Sequence, residues 1–227
     1  MNVTGGHFPF DLIFFALVAV FLVLRLRSVL GKKAGLQPGP VAPPQAPQPS
    51  RGAAVVGGQK PASDVSTNIP APATRVGQEL GTLRSLDQSF TPEQFLSGAE
   101  GAFRQIVTAF AAGNRPVLQE RLTPAAFAAF ESAIITREQA GETQKSEIRS
   151  VQSMAIEDVR KTDLAAGTGV AIDVRIVSDQ ISLTLDSSQQ PVAGTDAVTE
   201  FSDLWTFERL YSGSTGGSWR LAAARSA

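Results

Sequence analysis

The chain has 227 residues, no cysteine, one histidine and a formal net charge of −1. Without cysteine there are no disulfides, cysteine-zinc sites or thiol nucleophiles. Charge is unevenly placed. Residues 1–90 carry +4 and residues 91–227 carry −5, so the larger part lacks the basic face that nucleic-acid binding demands. The same acidity argues against broad docking on anionic lipid, except through bases beside an apolar run.

Such a run opens the chain. Residues 8–24, FPFDLIFFALVAVFLVL, hold no charge after Asp11 until Arg25. At helical rise the run spans about 25 Å, slightly less than a bilayer's hydrocarbon core. Leu26, Val29 and Leu30 extend its apolar face when Arg25 and Arg27 snorkel to the headgroups. We read residues 1–33 as a single transmembrane anchor with a basic flank. Phe8, Phe14, Phe15, Phe21 and Leu24 sit in lipid, and Arg25 and Arg27 at its edge. A secretory signal places its bases before the apolar run, and a core helix shows a polar face; this run does neither. The bases follow the span, so the expected topology is N-terminus out and everything after Arg25 on the cytoplasmic side. With no ionisable group in its middle, the span reads as an anchor and not a pore.

Residues 34–78 read as a disordered linker. Nine of the chain's 14 prolines fall between Pro38 and Pro72, among Gly, Ala, Gln and Ser. Such composition buries too little apolar surface to offset ordering entropy. The tract PGPVAPPQAPQP is a spacer or, alternatively, a ligand for a proline-reading module. As a flexible coil the linker reaches about 40 Å.

Residues 79–227 read as one domain. Leu80, Leu83, Leu86 and Phe90 form an apolar stripe, either a leading helix packed on the domain or a peripheral helix touching lipid. Thr91 and Pro92 start the next helix, with Gln94 at the capping-box position. Phe95, Ala99, Ala102, Phe103, Ile106, Val107 and Phe110 share one of its faces, and Gly113 is placed to end it. Asn114 opens a short helix with Val117, Leu118 and Leu122. Thr123 and Pro124 open a third, carrying Phe127, Phe130 and Ile134 and fraying into the polar run 137–145.

The period then changes to two. Residues 148–159 are irregularly β-like, and Val170, Ile172, Val174 and Ile176 alternate with Ala171, Asp173 and Arg175. That strand extends through Ile181, Leu183 and Leu185 if a bulge lies near residues 178–180. Residues 186–196 read as a turn. Phe201, Trp205 and Phe207 follow on one strand face with Thr199 and Asp203. A Gly/Ser turn over 212–217 leads to Trp219 and Leu221 in a final strand. Helices followed by a meander predict an α+β fold with helices on one side of a curved antiparallel sheet.

No catalytic constellation emerges. His7, the only histidine, lies at the membrane edge, and Tyr211, the only tyrosine, reads as structural. Asp203 is the one acid of interest. If its face lines a cavity it is a buried carboxylate with a raised pKa. Otherwise the aromatics face the helices, and Asp203 reaches the rim or pairs with Arg220 or Arg175. Glu157 and Asp158 alternate across a strand and do not form an acid pair. The sequence around Gly167, Thr168 and Gly169 is a turn, not a phosphate loop. We expect no enzyme activity, cofactor or metal. Phe201, Asp203, Trp205, Phe207 and Trp219 form a possible hydrophobic pocket, with core packing as the alternative role of the aromatics.

Three stretches in this order resemble the alphaproteobacterial members of the Tim44-like family, relatives of a mitochondrial inner-membrane import subunit. They are the anchor running into LRLRSVLG, the helix SFTPEQFLSGAEGAFRQIVTAFAAGN followed by LQERLTPAAFAAF, and LWTFER near the end. The resemblance covers the anchor and about residues 89–224. It implies a cone-like, nuclear-transport-factor-two-like domain, a non-enzymatic role and association with the bacterial inner membrane. The mitochondrial relatives tether a heat-shock chaperone to the import channel through a long charged N-terminal region, where an apolar run stands here. The leading expectation is a membrane-anchored protein-interaction domain in protein translocation or assembly. Its partners are lipid through the anchor and translocation, insertion or chaperone proteins, with no nucleic acid. A ligand-binding or catalytic cone held at the membrane, and a structural envelope protein positioned by its linker, are the alternatives.

Overall fold

The computed structural model describes residues 65–212 and 215–227. The expected anchor and most of the expected linker lie outside the described residues. Among those described, no helix is long and apolar enough to cross a membrane.

A short strand, β1 (Ser66–Asn68), precedes four helices: α1 (Arg75–Leu86), α2 (Pro92–Ala112), α3 (Arg115–Arg121) and α4 (Pro124–Gln139). Five strands follow: β2 (Thr143–Leu164), β3 (Gly167–Leu185), β4 (Pro191–Ser212), β5 (Thr215–Gly216) and β6 (Arg220–Ser226). The sheet order is β1-β2-β3-β4-β5, with β6 also pairing with β4.

Each helix starts on a side chain that accepts a hydrogen bond from a backbone N–H of its first turn. Thr74 accepts from Gly77, Thr91 from Gln94, Asn114 from Val117 and Thr123 from Ala126. These bonds satisfy donors that a helix N-terminus otherwise leaves open. Gly113 closes α2 at φ 67°, and its N–H reaches back to Ala109 and Phe110. Arg137 on α4 donates to the terminal carbonyls of Phe110 and Ala111 at 2.9 and 3.2 Å and lies over the Phe110 ring. One cation therefore ties the ends of two helices.

The helices cover one sheet face. Val170, Ile172, Val174 and Ile176 are at most 1% exposed and meet the α2 stripe of Phe103, Ile106 and Phe110 in a single core. The opposite face is charged. Arg160 grips both oxygens of Asp173 at 2.8 Å each, and Arg175 pairs with Glu157 at 2.8 Å. This period-two segregation makes one face core and the other solvent.

Three register shifts between β2 and β3 explain the irregular pattern of residues 148–159. They fall between Ile148 and Ser150, Val151 and Ser153, and Ile156 and Asp158. Each adds one residue to β2, so its 22 residues match 19 on β3. Bulges of this kind bend a strand and raise its twist.

Five expectations need correction. The sheet is mixed, because β1 pairs in parallel with residues 153–155 of β2. The linker stops short of Gln78: residues 66–68 are strand, and α1 begins at Arg75. A three-residue edge strand has no readable period, so composition hid it. The turn at 186–196 is shorter, since β4 begins at Pro191, and the polar run after α4 already belongs to β2 from Thr143. Finally, Gly167 and Gly169 lie within β3, and the turn precedes them. As for the leading stripe, Leu80 and Leu83 are buried in the core, which leaves α1 packed on the domain.

Candidate functional site: a groove lined by aromatics and arginines

The N-terminal half of α2 does not fill the space above the sheet. Its stripe carries bulk at Phe103, Ile106 and Phe110 but only small residues at Gly98, Ala99 and Ala102. The gap is a groove of about 580 Å³, with these residues, Gln94 and Phe95 along one side. Arg121 of α3 lines it, with Phe207 and Arg209 of β4 and the stretch Gly216 to Trp219. That volume suits a small ligand or a few side chains.

The aromatic wall is built in stages. Phe95 meets Trp219 at 4.9 Å and Phe207 at 6.0 Å, both edge-on, and Phe90 backs Phe95 and Trp219 at 6.1 and 6.3 Å. Edge-on packing suits the ring quadrupoles and gives the wall a defined shape.

Arg209 is held on several sides. Its guanidinium lies 4.7 Å from the Tyr211 ring centre and 5.9 Å from that of Trp219, and it pairs with Asp87 at 3.1 Å. A Cβ at Gly216 would sit 2.4 Å from the guanidinium nitrogens, so only glycine leaves room for it. The Ser89 hydroxyl, with smaller help from the Ser89 backbone N–H and Arg209, holds the Asp87 carboxyl below the ordinary carboxylate range, while burial, second in size, opposes them. Burial pushes the Tyr211 phenol up, with Arg209 opposing less strongly.

The expected pocket residues divide. Phe207 and Trp219 line the groove. Trp205 is 1% exposed and packs on Phe103 at 4.9 Å, in the core. Phe201 is half-buried farther along β4, opposite Ser178. Asp203 is 1% exposed on the helix-facing side, as parity expects, but stands between Ile176 and Ser226 and away from the groove. The two arginines considered for it stand elsewhere: Arg175 pairs with Glu157, and Arg220 lies opposite Glu208. Glu157 and Asp158 serve different cations: Asp158 bonds Arg75 and Arg160. Phe8, Phe14, Phe15, Phe21, Leu24, Arg25 and Arg27 lie outside the described residues.

Sequence reasoning missed Gln94, Arg121, Arg209 and the stretch 216–218 as lining residues. Arg209 was reachable, because it shares the parity of Phe207 on β4. Arg121 was not, since its direction depends on how α3 docks. Among the described residues, no cluster of acidic or histidine side chains is arranged to hold a metal ion.

Helices stacked on one face of a bulged, mixed sheet, with an open aromatic groove beside them, define an α+β domain. The family comparison names its class: residues 76–226 match the Tim44-like domain, more than half of the chain. The chain belongs to the Tim44-like domain family. No curated protein matches it by sequence. Among solved structures, the intermembrane space region of chloroplast protein ARC6 is similar at a TM-score of 0.42 and 13% identity, over 60% of this chain and 97% of that one.

Proposed function

We propose that this protein is a non-catalytic interaction domain, anchored in a bacterial inner membrane and facing the cytoplasm, that receives protein partners during translocation or assembly. The observation that carries this reading is the open groove, where three aromatic rings and two guanidinium groups stand beside small residues of α2. Apolar anchors ringed by polar donors are what protein recognition sites use. Family membership supports the reading. The sheet's long strands and the three bulges of β2 agree with a cone-like, nuclear-transport-factor-two-like architecture, which we include in the proposal.

Because the chain has no cysteine, one introduced thiol is unique. A cross-linker on Ser218→Cys, at the groove's rim, should trap translocation, insertion or chaperone components from membranes. The same reagent on Glu200→Cys, exposed on the other sheet face, should not. Equal products from both positions would defeat the reading. So would a small apolar ligand retained by the purified chain in native mass spectra, which would favour a ligand-binding cone. Release of the intact chain by carbonate, or digestion of its C-terminal domain by periplasmic protease, would remove the membrane placement.

A further inference from the structure

We propose that the groove's occupant is an acidic segment of a protein partner, its side-chain carboxylate held by Arg121 and Arg209 and its apolar neighbours resting on Phe95, Phe207 and Trp219. This deepens the interaction reading and rests on it.

Arg121 and Arg209 are the two arginines, among the described residues, whose Nε atoms are buried without a hydrogen-bond partner, and both line this groove. A guanidinium offers five donors, and buried donors without acceptors are costly. Two other arginines of the domain are each gripped by both oxygens of a carboxylate. Arg160 takes both oxygens of Asp173 and one of Asp158, and Arg115 takes both oxygens of Glu138. Arg121 has only its exposed sequence neighbour Glu120, at 3.6 Å, and Arg209 has one oxygen of Asp87. These two cations are therefore underfilled relative to Arg160 and Arg115.

Arg209 is also pre-set. Stacked over Tyr211 and pressed against Gly216, it offers a fixed plane, and little side-chain freedom remains to be lost on binding. A fixed guanidinium fork matches a carboxylate well. A carboxylate on a peptide fits better than a lipid phosphate. The charge of −5 over residues 91–227 opposes approach to an anionic bilayer, whereas one acidic side chain entering the groove is within a Debye length, about 8 Å, of the guanidinium groups.

The test uses the full chain in neutral phosphatidylcholine nanodiscs and a fluorescein-labelled, end-blocked peptide carrying two aspartates among leucine and phenylalanine. Anisotropy should show binding that weakens about tenfold when both aspartates become asparagine, a change of 1.4 kcal/mol. Arg121→Gln, at a partly exposed position, should weaken the aspartate peptide by a similar factor and leave the asparagine peptide unchanged, with circular dichroism unaltered. Gly216→Ala, which displaces Arg209, should weaken the aspartate peptide as well. Equal binding of the two peptides, or indifference to Arg121→Gln, overturns the proposal. Arg121-dependent binding of phosphatidylglycerol vesicles with no peptide binding overturns it in favour of lipid. If Ser218→Cys still traps proteins while the peptides bind alike, the interaction reading stands and the acidic specificity falls.

Discussion

Trp205 and Trp219 are the chain's two tryptophans, and the fold gives them different work. Trp205 is sealed against Phe103, whereas Trp219 is half-buried on the groove wall. Trp205→Ala should cost about 3–5 kcal/mol, the usual range for emptying a large aromatic site. Urea unfolding followed by circular dichroism measures it. Trp219→Ala should cost clearly less, and equal losses would mean that the groove wall is ordinary core. Tyr211 gives a second residue-level test, because as the sole tyrosine it alone contributes a phenolate absorbance. Its folded midpoint should lie above the ordinary value of about 10. With the folded pKa raised, its contribution to stability is full below the unfolded pKa and is lost as pH rises through the folded one. A midpoint at or below the ordinary value would contradict its burial.

At the scale of elements, α2 supports both the core and the groove, so its ends matter. Thr91→Ala removes the acceptor of the Gln94 N–H and should cost about 1 kcal/mol. Gly113→Ala should cost a similar amount, about 1 kcal/mol, for a different reason. An added Cβ there meets nothing closer than 3.6 Å, so the penalty is the left-handed φ of 67° and not a clash. Shifts in urea midpoint measure both, and an unchanged Gly113→Ala would deny the left-handed cap. The caps and periods of α2, α3 and α4 were legible because they are local: a threonine or asparagine, a proline and an apolar stripe each act within one turn. The β2 strand was only half legible, because three inserted residues shift its parity three times.

For the molecule as a whole, a carboxylate couples the first helix to the sheet. Burial alone would raise the pKa of Asp158, but hydrogen bonds from Arg75 of α1 and Arg160 of β2 outweigh it and lower the pKa. A depressed carboxylate contributes stability above its unfolded pKa and loses it as pH falls through the folded value. Stability should therefore hold through neutral pH and decline below about pH 4. Arg75→Ala should reduce that decline, and urea midpoints at several pH values decide. A variant whose acid profile matches the parent's would show that the Arg75 contact carries none of it.

Composition, periodicity and capping residues determined α2, α3 and α4, the long strands and the apolar face of most of them, because these depend on neighbours within a few residues; the family resemblance rested on the order of three particular stretches. Tertiary structure decided the rest. It placed β1 on the edge of β2, sent Trp205 to the core and Trp219 to the groove, and brought Arg121 and Arg209 to one cavity from elements 88 residues apart in number. The physical reason is that parity sets which side a residue faces, while only the docking of α2 and α3 on the sheet sets whether that side is filled.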